Sequence, residues 1–498
     1  MAMLILRTLR GLVPALFLFS LGLILYRTYG VGYPATETVN NHSPSFIDSI
    51  PDILKPGEEP KKTLKYKPTP IWLPPPITDP FPLLATSTAD PPPVPKYNVA
   101  RPKMHEEYGL DRPPPLYIGF TRQWPMLLQA VVSYITAGWP ADNIYVVENT
   151  GVHNKNKEGK LSLQNPFYLN HTTLHRLGIN VVQTPVLLSF AQMQNFFLNL
   201  AYENDHPYYF YSHQDVLVFS FEEGFDLGGR PGDRDWEWYD ETEKQEVSFA
   251  PQAGQPGYRT IYANCLRDLN TAVKRKERWG FRFYQFDHLC LVNREAMESI
   301  GGWDTMIPYY STDCDIMAKM KVDGWTMRHR RVGIINDVSA VMDDLESLYR
   351  TRRVEPSFTD PAPLPPEEEE RIAKAKAEEE AKKKAEKKAA RAVPSDGEMM
   401  PSDLIEYFRI LREVGDDMGR YKYRDGAEQR NNWQKSQRGG QGEPFYYDAE
   451  GFNKGFWALA DAGRRVYTEK WGHDFCGVPS DSSLRLSDQW RVEPESKE

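Results

Sequence analysis

Between residues 116 and 219 short unbroken apolar runs alternate with longer runs spaced as helices are. Leu116–Phe120, Ile144–Val147 and Ile179–Gln183 are brief and rich in β-branched or aromatic residues, which predicts strands. Trp124–Ala137 carries Leu127, Leu128, Val131, Val132 and Ile135 at helical spacing, and Phe190–Tyr202 carries Met193, Phe196, Phe197 and Leu200. Pro207–Phe219 is a further run of strand type, broken by His213, Gln214 and Asp215 after Ser212. Its unbroken apolar character predicts a strand buried on both faces. Strands alternating with helices of this length imply βαβ units and a parallel sheet. The polar triplet would then stand at a strand's carboxyl end, where open α/β sheets bind ligands.

The flanks have other characters. Gly11–Tyr26 is an uncharged, mostly apolar run preceded by Arg7 and Arg10 and closed by Arg27. No small-residue cleavage site comes after it, so residues 1–27 are expected to be a cytosolic tail and uncleaved anchor. The remainder would then be luminal. Eighteen of the 40 prolines fall between Pro51 and Pro115, so residues 28–115 are expected to be an extended stem. A folded domain is expected over 116–345, and Glu222–Lys276 within it reads as polar and irregular. Residues 346–395 are expected to be a charged helical linker, because Glu367–Arg391 is mostly Glu, Lys and Ala. Residues 396–498 form a carboxy-terminal extension with one amphipathic stretch at Leu404, Ile405, Phe408 and Leu411.

At 498 residues the chain exceeds one core. A net charge of −9 without a basic patch excludes nucleic acid as a partner. The four cysteines (Cys265, Cys290, Cys314 and Cys476) are too few and scattered for a disulfide scaffold, and none has C-x-x-C spacing for zinc. Asn41-His42-Ser43 and Asn170-His171-Thr172 are glycosylation acceptors that suit a luminal domain.

The order of strand Leu116–Phe120, helix, strand ending in Val147-Glu148-Asn149, helix, and strand ending in His213-Gln214-Asp215 resembles the GT-A glycosyltransferases, closest to the family 2-like members. The triplet occupies the place of that fold's Asp-x-Asp motif, with His213 where an Asp is usual. Phe286–Asn293, Gly301-Gly302-Trp303-Asp304 and Thr312-Asp313-Cys314-Asp315 are similar to the family's "GGxD … EDxD" segment, and Gly324-Trp325 to its approach to the last core strand. The resemblance covers residues 116–345. It implies a mostly parallel α/β sheet flanked by helices. It also implies transfer of a sugar from a nucleotide-sugar donor to a glycan, glycoprotein or glycolipid acceptor, in a single-pass type II protein of the Golgi or endoplasmic reticulum.

Such transfer needs the departing diphosphate neutralised, commonly by manganese or magnesium, and an inverting reaction needs a base for the acceptor hydroxyl. Asp215, His213 and Asp337 are the expected metal ligands. Asp313 and Asp315 are the expected catalytic pair, one as base and one as helix cap, unless both are caps. Thr121, Arg122, Glu148, Asn195, Gln214 and Trp303 are expected at the nucleotide sugar. For Glu148 an exposed turn position is the alternative, and for Trp303 a core position. A membrane-anchored luminal sugar-binding or scaffold protein that kept the fold but lost catalysis is the competing expectation, favoured by His213.

Overall fold

The computed structural model of the chain describes residues 76–226, 249–362, 402–424, 449–478 and 483–493. It also describes a few positions within 63–68, 239–246 and 367–374. The chain divides into two units, Met1–Pro70 and Ile71–Glu498, and almost all the described residues belong to the second. The expected anchor, Asn41 and most of the expected 367–391 helix lie outside the described residues; Glu367, Arg371 and Lys374 of that helix are described and helical. Among the described residues no helix is long and apolar enough to cross a membrane.

The core is a mixed α/β arrangement around a mostly parallel seven-stranded sheet. Its strands are β1 (Leu116–Phe120), β2 (Ile144–Glu148), β3 (Asn180–Gln183), β4 (Tyr208–Ser212), β6 (Trp279–Phe283), β7 (Leu289–Asn293) and β8 (Thr326–His329), in the order β3-β2-β1-β4-β7-β6-β8. The first four run parallel, β7 runs antiparallel to both β4 and β6, and β6 runs parallel to β8. A separate antiparallel pair joins β5 (Val216–Phe219) to β9 (Ile334–Asp337). The 207–219 run is therefore two strands, and His213-Gln214-Asp215 is the link that carries the chain from one sheet to the other.

Helix α1 (Trp124–Thr136) is buried along nearly its whole length between the sheet and the β5–β9 pair. Helix α2 (Phe190–Glu203) covers the other face, started by a capping box of Ser189 and Gln192. There Met193 lies so close to β1 that a Cβ on Gly119 would stand 2.5 Å from its sulfur, so a larger residue would require the Met193 side chain to shift. Two parts of the chain are more ordered than their composition suggests. Within the stretch read as irregular, α3 (Ile261–Lys274) is capped by Thr260 and buries Ile261, Cys265, Leu266 and Leu269. Within the expected stem, Phe81, Leu84 and Met104 are buried in the main core. Proline-rich composition sets the backbone of that segment but leaves three large apolar side chains to dock.

The carboxy-terminal extension also packs on the sheet. Helix α5 (Ser402–Tyr423) buries Phe408, Leu411 and Met418 in the main core, beside β9. Helix α6 (Ala449–Trp471) meets α4 (Thr312–Val322), and just beyond it a disulfide joins Cys314 to Cys476. One long-range bond fastens the extension, and the two remaining cysteines are free and buried, which agrees with four cysteines being too few for a scaffold.

Candidate functional site

The carboxyl ends of β1 and β4 converge with two turns, and the strand register explains the meeting. β7 pairs antiparallel with β4, Leu289 opposite Ser212. The two residues before Leu289, Asp287 and His288, therefore arrive beside His213, and the His213 N–H donates to His288 O at 3.3 Å. β9 pairs antiparallel with β5, Asp337 opposite Val216, so Asp337 stands next to Asp215. The Val338 N–H closes that corner by donating to Asp215 O at 2.9 Å.

The result is a knot of charges. His213 Nδ1 lies 3.9 Å from Asp215 Oδ1 and its Nε2 lies 3.5 Å from Asp287 Oδ2. His288 Nε2 lies 3.5 Å from Asp337 Oδ2 and 4.0 Å from Asp287 Oδ1. The end of α5 enters from the far side. Lys422 Nζ donates to Asp215 Oδ2 at 2.8 Å, to Val338 O at 3.3 Å and to Asp337 Oδ1, and Tyr423 donates its hydroxyl to Asp337 Oδ2. Burial would raise the Asp215 carboxyl, but the Lys422 ammonium, aided by His213 and His288, holds it below the usual range. Burial would likewise lower Lys422, but Asp215 and Asp337 keep it above the ordinary lysine value. Burial depresses His288, which keeps its imidazole neutral and able to ligate.

The expected metal ligands His213, Asp215 and Asp337 are thus together, but their cation-binding capacity is divided. Asp215 and Asp337 share the ammonium of Lys422. His213, Asp287 and His288 each offer one ligand atom, all within 4.8 Å of one another. That donor set fits a divalent ion; the Asp215–Asp337 pair already has its counter-charge.

Arg122 lies just beyond the end of β1 and is fully buried, and among the described residues none of its three guanidinium nitrogens has a hydrogen-bond partner. Burial pushes it down to about 9, against the pull of Asp215. Gln214 fixes this turn: its Nε2 donates to Arg122 O at 2.6 Å, and the Thr121 N–H donates to its Oε1 at 3.2 Å. Thr121, Arg122, Gln214 and Asp215 therefore form one unit.

Other expected residues sit apart from the knot. Glu148 is buried at the end of β2, where it accepts from Asn156 at 2.8 Å, Thr150 at 3.1 Å and Gln183 at 3.1 Å and pairs with His171 at 2.9 Å. Asn195 clamps the backbone of Trp303 by two hydrogen bonds of 2.8 and 2.9 Å. Gly302, at φ +68°, passes so close that a Cβ would meet Asn195 Oδ1 at 2.7 Å. Trp303 is a core side chain, edge-on to Phe190 at 5.5 Å. Asn170 caps the helix His171–Arg176, accepting from Thr173 at 3.0 Å.

In the first turn of α4 the two carboxylates separate. Asp315 is buried and bound by Lys470 at 2.8 Å and by the Trp471 indole at 2.9 Å. Asp313 is half-buried, and its carboxyl is pushed up by burial and by nearby Asp287. A cavity of about 380 Å³ lies at the opposite end of the sheet, lined by Tyr208, Glu277, Trp279, Asn293, Glu295 and Trp325, and includes none of these residues.

Sequence reasoning missed Asp287, His288, Lys422 and Tyr423. Asp287-His288, directly ahead of an apolar strand, is a signal of the same kind as His213-Gln214-Asp215 and could have been found by the same rule. Nothing local marks Lys422, which is 207 residues from the aspartate it binds.

No family model matches the chain, and no curated protein matches it. Among solved structures it is similar to the mannosyltransferase PcManGT from Pyrobaculum calidifontis, in complex with GDP-Man and Mn2+. The TM-score is 0.23 with 11% identity, covering 46% of this chain and 59% of that one. The match spans about three fifths of that structure's length, and the chemistry of the site stands on its own residues.

Proposed function

We propose that the chain is a GT-A-like glycosyltransferase that binds the diphosphate of a nucleotide sugar at the ends of β1 and β4. The observation that carries this is Arg122. A buried guanidinium without a hydrogen-bond partner is costly, and an anion bound there would offset the cost. Its place, at the carboxyl ends of parallel strands, is where α/β sheets take ligands. A divalent ion, manganese or magnesium by the resemblance, would add Lewis-acid neutralisation of the leaving diphosphate when bound. Asp313 serves as the base for the acceptor hydroxyl: it is the carboxylate of its pair without a lysine on it, and burial raises its proton affinity. Asp315 serves to fix the helix on which Asp313 stands.

The acceptor class (glycan, glycoprotein or glycolipid) rests on the resemblance of residues 116–345, and a single-pass, luminal placement in the Golgi or endoplasmic reticulum rests on Arg7, Arg10 and the run Gly11–Tyr26. Lys422 on the Asp215–Asp337 pair favours a second reading, a relative that binds sugar nucleotides without turning them over.

The test is a panel of nucleotide sugars offered to the full-length chain in detergent, with and without manganese, beside Arg122→Met. The variant is expected to lose nucleotide binding while melting at the same temperature or higher, because a buried unpaired charge is removed. Nucleotide affinity unchanged in Arg122→Met would overturn the reading. Binding without turnover across the panel would favour the inert relative.

A further inference from the structure

We propose that the acceptor is a saccharide and that one of its sugar rings stacks on Phe286. The inference rests on the glycosyltransferase reading above and concerns the acceptor, not the nucleotide.

Phe286 lies in the turn between β6 and β7, where the His288 N–H donates to Gln285 O at 3.0 Å. Its φ is +46°, a left-handed backbone that glycine adopts freely and a bulky residue rarely does. Close packing of the side chain can offset such strain. Here it does not: the ring is 48% exposed and, among the described residues, belongs to none of the hydrophobic clusters. It stands beside the charged knot, its centroid 6.5 Å from that of the His288 ring. Neither packing nor backbone preference accounts for a phenylalanine there, whereas a ligand stacked on the ring would. The strain also has company. Gln123, next to Arg122, and Ser311, two residues before Asp313, are left-handed at +67° and +68°. Strained backbone of this kind gathers at ligand-binding sites, where the surrounding structure holds it.

The neighbours of Phe286 then select the ligand class. Asp287 follows it directly and lies 3.5 Å from His213. Burial raises the Asp313 carboxyl and the charge of Asp287 adds to it, so the two carboxylates are neighbours. Carboxylates accept hydrogen bonds from hydroxyl groups, and an exposed aromatic face takes the C–H face of a pyranose. A surface offering both suits a saccharide. A lipid chain would desolvate the carboxylates without replacing their hydrogen bonds.

The experiment is saturation-transfer NMR on the full-length chain in a non-glycosidic detergent. The probes are the methyl glycosides of glucose, galactose, mannose and N-acetylglucosamine, with parallel titrations of UDP and GDP. At least one glycoside is expected to bind, with saturation strongest on the C–H protons of one ring face. Phe286→Tyr should bind it within about threefold of the wild type, and Phe286→Leu at least ~10-fold more weakly. Phe286→Gly should lose the sugar yet melt no lower than the wild type, because the strain is relieved. Nucleotide affinity should be unchanged in all three. Failure of the wild type to bind any of the glycosides would point to a peptide or lipid acceptor and overturn the proposal. So would a glycoside that binds Phe286→Gly as well as the wild type, or a loss of UDP or GDP affinity in Phe286→Leu, which would put the ring on the donor. A wild type that binds a glycoside through Phe286 but binds no nucleotide would instead overturn the glycosyltransferase reading.

Discussion

Lys470 reaches the buried carboxylate of Asp315 at 2.8 Å, across 155 residues of chain, and spans to Asp304 at 2.7 Å as well. One ammonium thereby ties α6 to both the first turn of α4 and the Gly-Gly-Trp-Asp turn. The pair is almost wholly shielded from water, so removing the lysine alone leaves the buried carboxylate with only the more distant Lys319 ammonium, 4.0 Å away, and the Trp471 indole. Lys470→Met is expected to cost about 3–5 kcal/mol of stability. Urea denaturation measures it, and a loss below about 1 kcal/mol would show that Asp315 finds another partner.

The disulfide between Cys314 and Cys476 closes a loop of 162 residues on the same interface. Cross-linking so long a loop restricts the unfolded chain substantially. Cys476→Ser is expected to cost about 2–5 kcal/mol. The loss should appear equally on mild reduction of the wild-type protein, read by thermal melting with and without reductant. A melting temperature indifferent to reductant would place the two cysteines apart in solution.

The interior of the sheet is legible in the sequence because its strands are short apolar runs and its helices carry a helical period. β1 has the bounds of the apolar run Leu116–Phe120, and α1 and α2 stop within one residue of their patterns. Asp215, Arg122 and Gln214 are legible as neighbours because each lies at or beside a strand's carboxyl end. Lys422 is not legible. It sits on a helix recognisable only by its apolar stripe, and no local rule says which strand end its last turn will meet. The amphipathic stretch Leu404–Leu411 does announce a packing face, and Phe408 and Leu411 are fully buried. Asp315 shows the opposite limit. In sequence it is equivalent to Asp313, and only the fold, through Lys470 and Trp471, separates their environments.

A second buried pair holds the expected stem to the core. Arg350 binds Glu222, which also accepts from Asn98 at 2.7 Å and from Tyr97 at 3.1 Å. All of Glu222 is buried, so Arg350→Met should be strongly destabilising, by about 3–5 kcal/mol. Tyr97→Phe removes one neutral donor and should cost only about 1 kcal/mol. Comparable losses in the two variants, measured by urea denaturation, would mean that the carboxylate is neutral in the folded protein. The ion pair would then not be what anchors residues 96–98.

Asp313 yields a prediction with two independent readouts. Burial raises its carboxyl in the folded protein, with Asp287 adding to the effect, so the folded state holds this proton more tightly than the unfolded chain does. This group's contribution to stability is therefore full below the unfolded pKa and declines as pH rises through the raised folded value. Asp313→Asn removes that titration. The variant should gain stability relative to wild type as pH climbs from the acid side to neutrality, as thermal melting across that range would show. Catalysis should move the other way. If Asp313 takes the acceptor proton, turnover in the wild type should rise with pH along a limb displaced above the ordinary carboxylate range. Asp313→Asn should lower turnover by about 10²–10⁴-fold with donor affinity nearly unchanged. A helix cap would behave differently, since asparagine caps nearly as well as aspartate. Near-normal turnover in Asp313→Asn would remove it as the base, whatever its effect on stability.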